Sequence, residues 1–107
     1  MMVLTTSFNT TLKKKLQESA GFRRALLKEA VGCMIEGDVE TGKSVLRKYI
    51  NGTIGFIALG EALGRSPKVL MRMFSAKGNP QAKNLFEIIA YLQKAEGTKL
   101  EVVERAA

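Results

Sequence analysis

Phe56-Ile57-Ala58-Leu59-Gly60-Glu61-Ala62-Leu63-Gly64-Arg65-Ser66-Pro67-Lys68-Val69-Leu70-Met71-Arg72-Met73-Phe74 is the stretch that decides the fold. Apolar residues recur at helical spacing on both sides of Gly64, and the glycine breaks the run. Phe56, Leu59 and Leu63 share one face of a helix over residues 53–63, for which Thr53 is the expected N-cap. Ser66 caps the next helix, residues 67–74. Pro67 suits its first position, where a missing N–H would have no partner anyway. Two short helices joined by about three residues with a glycine among them sit at a wide angle. Gly60 puts no side chain where the helices approach, and Gly64 can turn left-handed without steric cost. Leu59, Leu63, Leu70 and Met73 form the small core between them.

On a helical wheel, Pro67, Leu70, Met73 and Phe74 fall on one side of the second helix, and Lys68, Met71, Arg72 and Ser75 on the other. That outer face suits a DNA major groove. Arginine can fork onto guanine O6 and N7, lysine can reach guanine or phosphate, and methionine can touch thymine methyls. The other place for Met71 is against a neighbouring helix. Lys77 and Lys83 lie just beyond, placed for backbone phosphates. A helix starting at Gln81, capped by Asn79, offers its N-terminus to another phosphate. The plain alternative is a helical pair with a solvated outer face. Between Arg65 and Lys83, however, stand five basic residues (Arg65, Lys68, Arg72, Lys77, Lys83) and no acid, which favours a polyanion.

Working outward, helical spacing continues almost throughout. Residues 7–18 form an amphipathic helix with Phe8, Leu12 and Leu16 in a narrow stripe. Lys13, Lys14 and Lys15 surround it, solvated in the plain reading and within reach of phosphate in the other. Gly21 breaks the pattern. Residues 22–36 follow, apolar on most sides near Ala30, Val31, Cys33, Met34 and Ile35, as in a helix buried between neighbours. Cys33 reads as a small core residue. Gly37 stops this helix and Asp38 caps the next, residues 39–50, with Leu46, Tyr49 and Ile50 on its buried edge and Asn51-Gly52 as its end. The last helix covers residues 81–96, with Leu85, Ile88, Ile89 and Leu92 inward and Gly97 as terminator. Residues 99–103 can form a short strand. A lone strand leaves its backbone unpaired, so a second copy of the chain is the expected partner.

Composition bounds the answer. The 107 residues fit one compact unit: an amphipathic arm over residues 1–20, and a helical domain over residues 21–107 with the helix-turn-helix at about 53–74. An apolar fraction of 46% supplies a core, yet no run reaches the roughly 18 residues of a bilayer span. No signal-peptide pattern opens the chain, and its single cysteine has no internal partner, so a cytoplasmic location is expected. The net charge of +7 favours a polyanionic partner. With no histidine, one cysteine and no clustered carboxylates, an ordinary metal site or a histidine-activated nucleophile cannot be assembled. Scattered glycines make no phosphate loop or dinucleotide fingerprint. No cofactor and no enzymatic activity are expected.

The segment Leu59-Gly60-Glu61-Ala62-Leu63-Gly64-Arg65-Ser66-Pro67-Lys68-Val69-Leu70-Met71-Arg72-Met73 resembles the helix-turn-helix of the Cro/repressor-like (XRE) superfamily. Gly78-Asn79-Pro80, then Asn84-Leu85 and Ile88-Ile89, then Leu100-Glu101-Val102, with Glu36-Gly37-Asp38 upstream, is similar to the HigA-like addiction-module antidote family. The likeness covers residues 22–103. It implies an all-α bundle of five to six helices with a short C-terminal strand. It also implies a dimeric, antitoxin-type repressor that binds its own promoter and can neutralise a toxin partner. Carried over residue by residue, the groove-facing positions are Ser66, Lys68, Met71 and Arg72, with Arg65, Lys77 and Lys83 positioning the duplex. Two departures stand out. Gly60 replaces a frequent alanine, which implies a tighter crossing, and Arg65 replaces a usual apolar residue, which implies different packing of the turn. A rival reading is a protein-interaction module that grips a toxin through Phe8, Leu12 and Leu16 and binds no DNA.

Overall fold

The computed structural model describes the backbone of residues 2–107 and the side chains of residues 9–107; Phe8, one of the three residues of the expected docking stripe, has its side chain outside this set. Six helices follow in order among the described residues: α1 (Met2–Glu18), α2 (Ala20–Ile35), α3 (Val39–Gly52), α4 (Phe56–Leu63), α5 (Pro67–Met73) and α6 (Ala82–Glu96). None is long and apolar enough to cross a membrane.

The boundaries follow from local chemistry, and several differ from those the sequence suggests. Gly21 does not end anything. The hydroxyl of Ser19 accepts the N–H of Phe22 at 3.1 Å, so α2 starts at Ala20 and carries Gly21 in its first turn. Asp38 caps α3 as expected, accepting the N–H of Thr41 at 3.2 Å. Asn51 and Gly52 do not stop α3. It closes at Thr53, where the carbonyl of Ile50 accepts the N–H groups of Thr53 and Gly55. Thr53 therefore caps the end of α3 rather than the start of α4, and its hydroxyl donates to the carbonyl of Tyr49 at 2.7 Å. The chain enters α4 through Gly55 at φ +79°, a conformation that glycine adopts without strain. Helix α6 is preceded by Gln81, not Asn79, and no side chain caps it.

One core unites all six helices. Leu16 of α1, Leu27 of α2, Leu46 and Ile50 of α3, Leu59 of α4, Leu70 of α5, and Ile88 and Leu92 of α6 are fully buried together. Burial of a leucine or isoleucine side chain contributes about 1.5–3 kcal/mol, so this cluster is the main source of stability. Glycines set the closest approaches. A Cβ on Gly42 would meet the carbonyl oxygen of Ala30 at 2.9 Å, which draws α2 and α3 together, and one on Gly52 would strike Leu16. The second half of α1 thus belongs to the same core as the rest.

A buried polar cluster crosses this core. The Nε of Arg23 donates to both carboxylate oxygens of Glu96 at 3.0 Å, and the Tyr49 hydroxyl donates to Glu96 Oε1 at 2.7 Å. Arg23 Nη1 also reaches the carbonyl of Leu16 at 2.9 Å. These bonds tie α1, α2, α3 and α6. Burial, and then the Glu96 carboxylate, hold the Tyr49 phenol well above its ordinary range. The neutral phenol is favoured in the folded state. Its contribution is full below the ordinary value of 10.0 and is lost as pH climbs beyond it.

The expected strand over residues 99–103 is not formed, and no strand occurs among the described residues. A strand needs a pairing edge, and a single helical chain supplies none. The tail is held by side chains instead. Gln93 Oε1 accepts the N–H of Leu100 at 2.7 Å, and Leu100 packs against the core, leaving Val102 and Val103 exposed.

Replacing Glu96 by alanine strands a guanidinium and a buried phenol. Urea denaturation of Glu96→Ala is expected to show a loss of about 2–4 kcal/mol. A loss under about 0.5 kcal/mol would mean that the cluster is not a structural tie.

Candidate nucleic-acid interface

Helices α4 and α5 meet at a turn made possible by Gly60. A Cβ there would stand 2.5 Å from the carbonyl oxygen of Arg65 and 3.3 Å from Pro67 Cδ. The Gly60 carbonyl accepts the N–H of Arg65 at 2.9 Å, and Gly64 takes φ +66° in the left-handed region. The crossing is as tight as the glycine implies. Ser66 stands at the N-cap of α5 and Pro67 follows, as expected, but the serine hydroxyl makes no capping bond and remains exposed.

The wheel drawn for α5 matches its burial except at Ser75, which lies past the end of the helix, half-buried, with its hydroxyl donating to the Arg72 carbonyl at 2.7 Å. Leu70 is fully buried, and Phe74 packs against Phe56 with ring centroids 5.9 Å apart. Met73 is half-buried. On the other side Lys68, Met71 and Arg72 are exposed, Met71 at 46%. Positions i, i+3 and i+4 share one helix face, so these three side chains leave the protein together. Val69 is exposed as well, which gives the face an apolar edge.

What holds α5 in place is a residue that the sequence reading passed over. Lys43 of α3 is 2% exposed. Its ammonium donates to the carbonyls of Gly78 and, at 3.3 Å, Ser75, and sits 3.3 Å from Glu40 Oε1. The loop after α5 is thereby pinned to α3. A Cβ on Gly78 would collide with the carbonyls of Arg72 and Met73, so that loop closes directly over the end of α5. The signal was available: Lys43, Leu46 and Ile50 share one helix face, and a lysine on an apolar stripe needs a buried acceptor.

The other expected contact residues divide. Lys77, in the pinned loop, and Lys83, in the first turn of α6, are exposed. Among the described residues, no carboxylate pairs with Lys68, Arg72, Lys77 or Lys83. Arg65 differs. It is half-buried, and its Nη2 donates to Asn84 Oδ1 at 2.8 Å and to Glu87 Oε2 at 3.3 Å. It braces the α4–α5 turn against α6. Its guanidinium is thus engaged within the protein, unlike the charged groups of the exposed cations.

Partial burial, then Glu29, Asp38 and Glu36, raise the thiol pKa of half-buried Cys33 away from the reactive thiolate. No family model, no curated protein and no solved structure matches this chain.

Gly60→Ala forces the turn apart. A thermal melt is expected to show a loss of about 1–3 kcal/mol despite alanine's better helix propensity. An unchanged or raised midpoint would contradict the tight crossing.

Proposed function

We propose that this chain is a sequence-specific, double-stranded DNA-binding transcriptional regulator, a repressor of antitoxin type that works as a homodimer. The observation that carries the reading is the joint projection of Lys68, Met71 and Arg72 from a short helix whose opposite face is buried. In this reading α4 and α5 are a helix-turn-helix and α5 enters the major groove. Arg72 reads base edges, Lys68 supports it, Met71 adds apolar contact, and the exposed Ser66 hydroxyl meets the backbone or a base. Lys77 and Lys83 neutralise phosphates. Two copies would set their α5 helices about 34–36 Å apart on a two-fold symmetric site.

The resemblance to the HigA-like antidote family supports the antitoxin assignment and, with it, a toxin partner. Exposed Val102 and Val103, with the apolar groove that the tail forms against Val31 and Ile35 of α2, support a protein contact in that region. In this proposal the contact is the second copy of the chain.

A duplex selected from a random library serves as the probe. Arg72→Ala is expected to cost about 1–3 kcal/mol on that duplex and to relax the preference for it over unrelated sequence. Lys77→Ala should weaken all duplexes alike and reduce the salt slope by about one. Unaltered sequence preference in Arg72→Ala would remove α5 as the reading element.

A further inference from the structure

A second basic surface lies outside the α4–α5 pair. Helices α1 and α3 converge where Leu16 seats on Gly52, and before that point they leave an open groove of about 490 Å³. Lys13 of α1 stands on one wall and Arg47 and Lys48 of α3 on the other, and Ser44 and Asn51 of α3 add hydrogen-bonding groups to the lining. Among the described residues, no carboxylate lines the groove. Lys13, Arg47 and Lys48 are exposed, and none takes part in an ion pair among the described residues. Three cations turned into one concavity raise the local potential more than the same charges spread over a convex face.

The groove is continuous with the proposed reading element. Ser44 and Arg47 also line a smaller cleft of about 200 Å³ whose far wall is Phe74, Ser75 and Ala76. Those residues lie between Arg72 and Lys77, one residue beyond Arg72. The basic surface therefore runs from the end of α5, across Arg47, to Lys48 and Lys13. Lys43 fixes the distance between its two halves by bonding α3 to the Ser75–Gly78 loop. The one acid at the junction, Glu40, is paired with Lys43.

We infer that the α1–α3 groove is a phosphate track, on which the sugar-phosphate backbone of the same duplex continues after it leaves α5. The inference rests on the DNA-binding reading above. It gives α1 and α3 a role in affinity and none in sequence choice. Phosphate contacts made by lysine and arginine carry no base information and respond strongly to salt.

The test is a fluorescence titration of the full chain with the selected duplex and with a scrambled duplex, across a range of salt. It compares wild type, the triple variant Lys13→Gln/Arg47→Gln/Lys48→Gln, Arg72→Ala, and Lys94→Gln as a surface control on α6. All three groove positions are exposed, and circular dichroism checks that the helices persist. The triple variant is expected to lose roughly tenfold or more in affinity on both duplexes, with a salt slope lower by about two to three and an unchanged ratio between them. Affinity and slope equal to those of the Lys94→Gln control, while Arg72→Ala still lowers the ratio, would overturn the track and leave the reading helix standing. Wild-type chain without affinity for any duplex would overturn both. Vesicles of anionic phospholipid form a last arm. Loss of vesicle binding in the triple variant with duplex binding intact would assign the groove to lipid phosphate and refute the duplex track.

Discussion

A single ammonium, that of Lys43, leaves water and meets backbone carbonyls in the loop behind α5. A buried cation without such acceptors is costly enough that the loop and α3 cannot separate without exposing it again. The candidate surface depends on this contact. It determines where the loop of residues 74–78 lies, and with it the end of α5, the position of Lys77 and the distance from α5 to Arg47. Glu40 completes the pairing from one turn back on the same helix. The bare Cα of Gly78 then allows the loop to close without a clash.

Two further devices give α5 its pose. Gly60 and left-handed Gly64 make the turn short, and Arg65 ties that turn to Asn84 and Glu87 of α6. The helix is thus held at both ends by contacts outside itself. Its seven residues are too few for intrinsic helicity to hold it. Buried Leu70 and Phe74 orient it, and the same orientation points Lys68, Met71 and Arg72 outward. Stability and presentation of the cationic face are consequences of one arrangement. On the far side of the core, Glu96 gathers Arg23 and Tyr49 and keeps α2, α3 and α6 in register.

Much of this was legible in the sequence. The six helices, the inward faces of α3, α5 and α6, the left-handed Gly64 and the close approach at Gly60 follow from apolar spacing and glycine placement. The errors have specific causes. Thr53 looked like the start of a helix because its hydroxyl suits a cap, yet that hydroxyl bonds backwards to Tyr49, and Gly55 makes the actual entry. Gly21 looked like a break, but Ser19 had already capped the helix. The strand over residues 99–103 was read from local composition, whereas strand formation depends on a partner edge that composition does not supply. At the candidate site the exposed cations were visible as an acid-free run. Lys43 on the apolar stripe of α3 signalled a buried cation but not which carbonyls receive it, and the bracing by Arg65 was not visible, because its amide and carboxylate partners lie about twenty residues further along the chain.

The central claim is that the cationic face of α5 is the surface that meets DNA. It is tested most directly by amide chemical-shift mapping of the isotope-labelled chain during titration with a short mixed-sequence duplex. The account predicts the largest shifts between Ser66 and Lys77, with α2 and the tail beyond Gly97 little changed. Shifts confined to α2 and the tail, with α5 unmoved at saturating duplex, would contradict it.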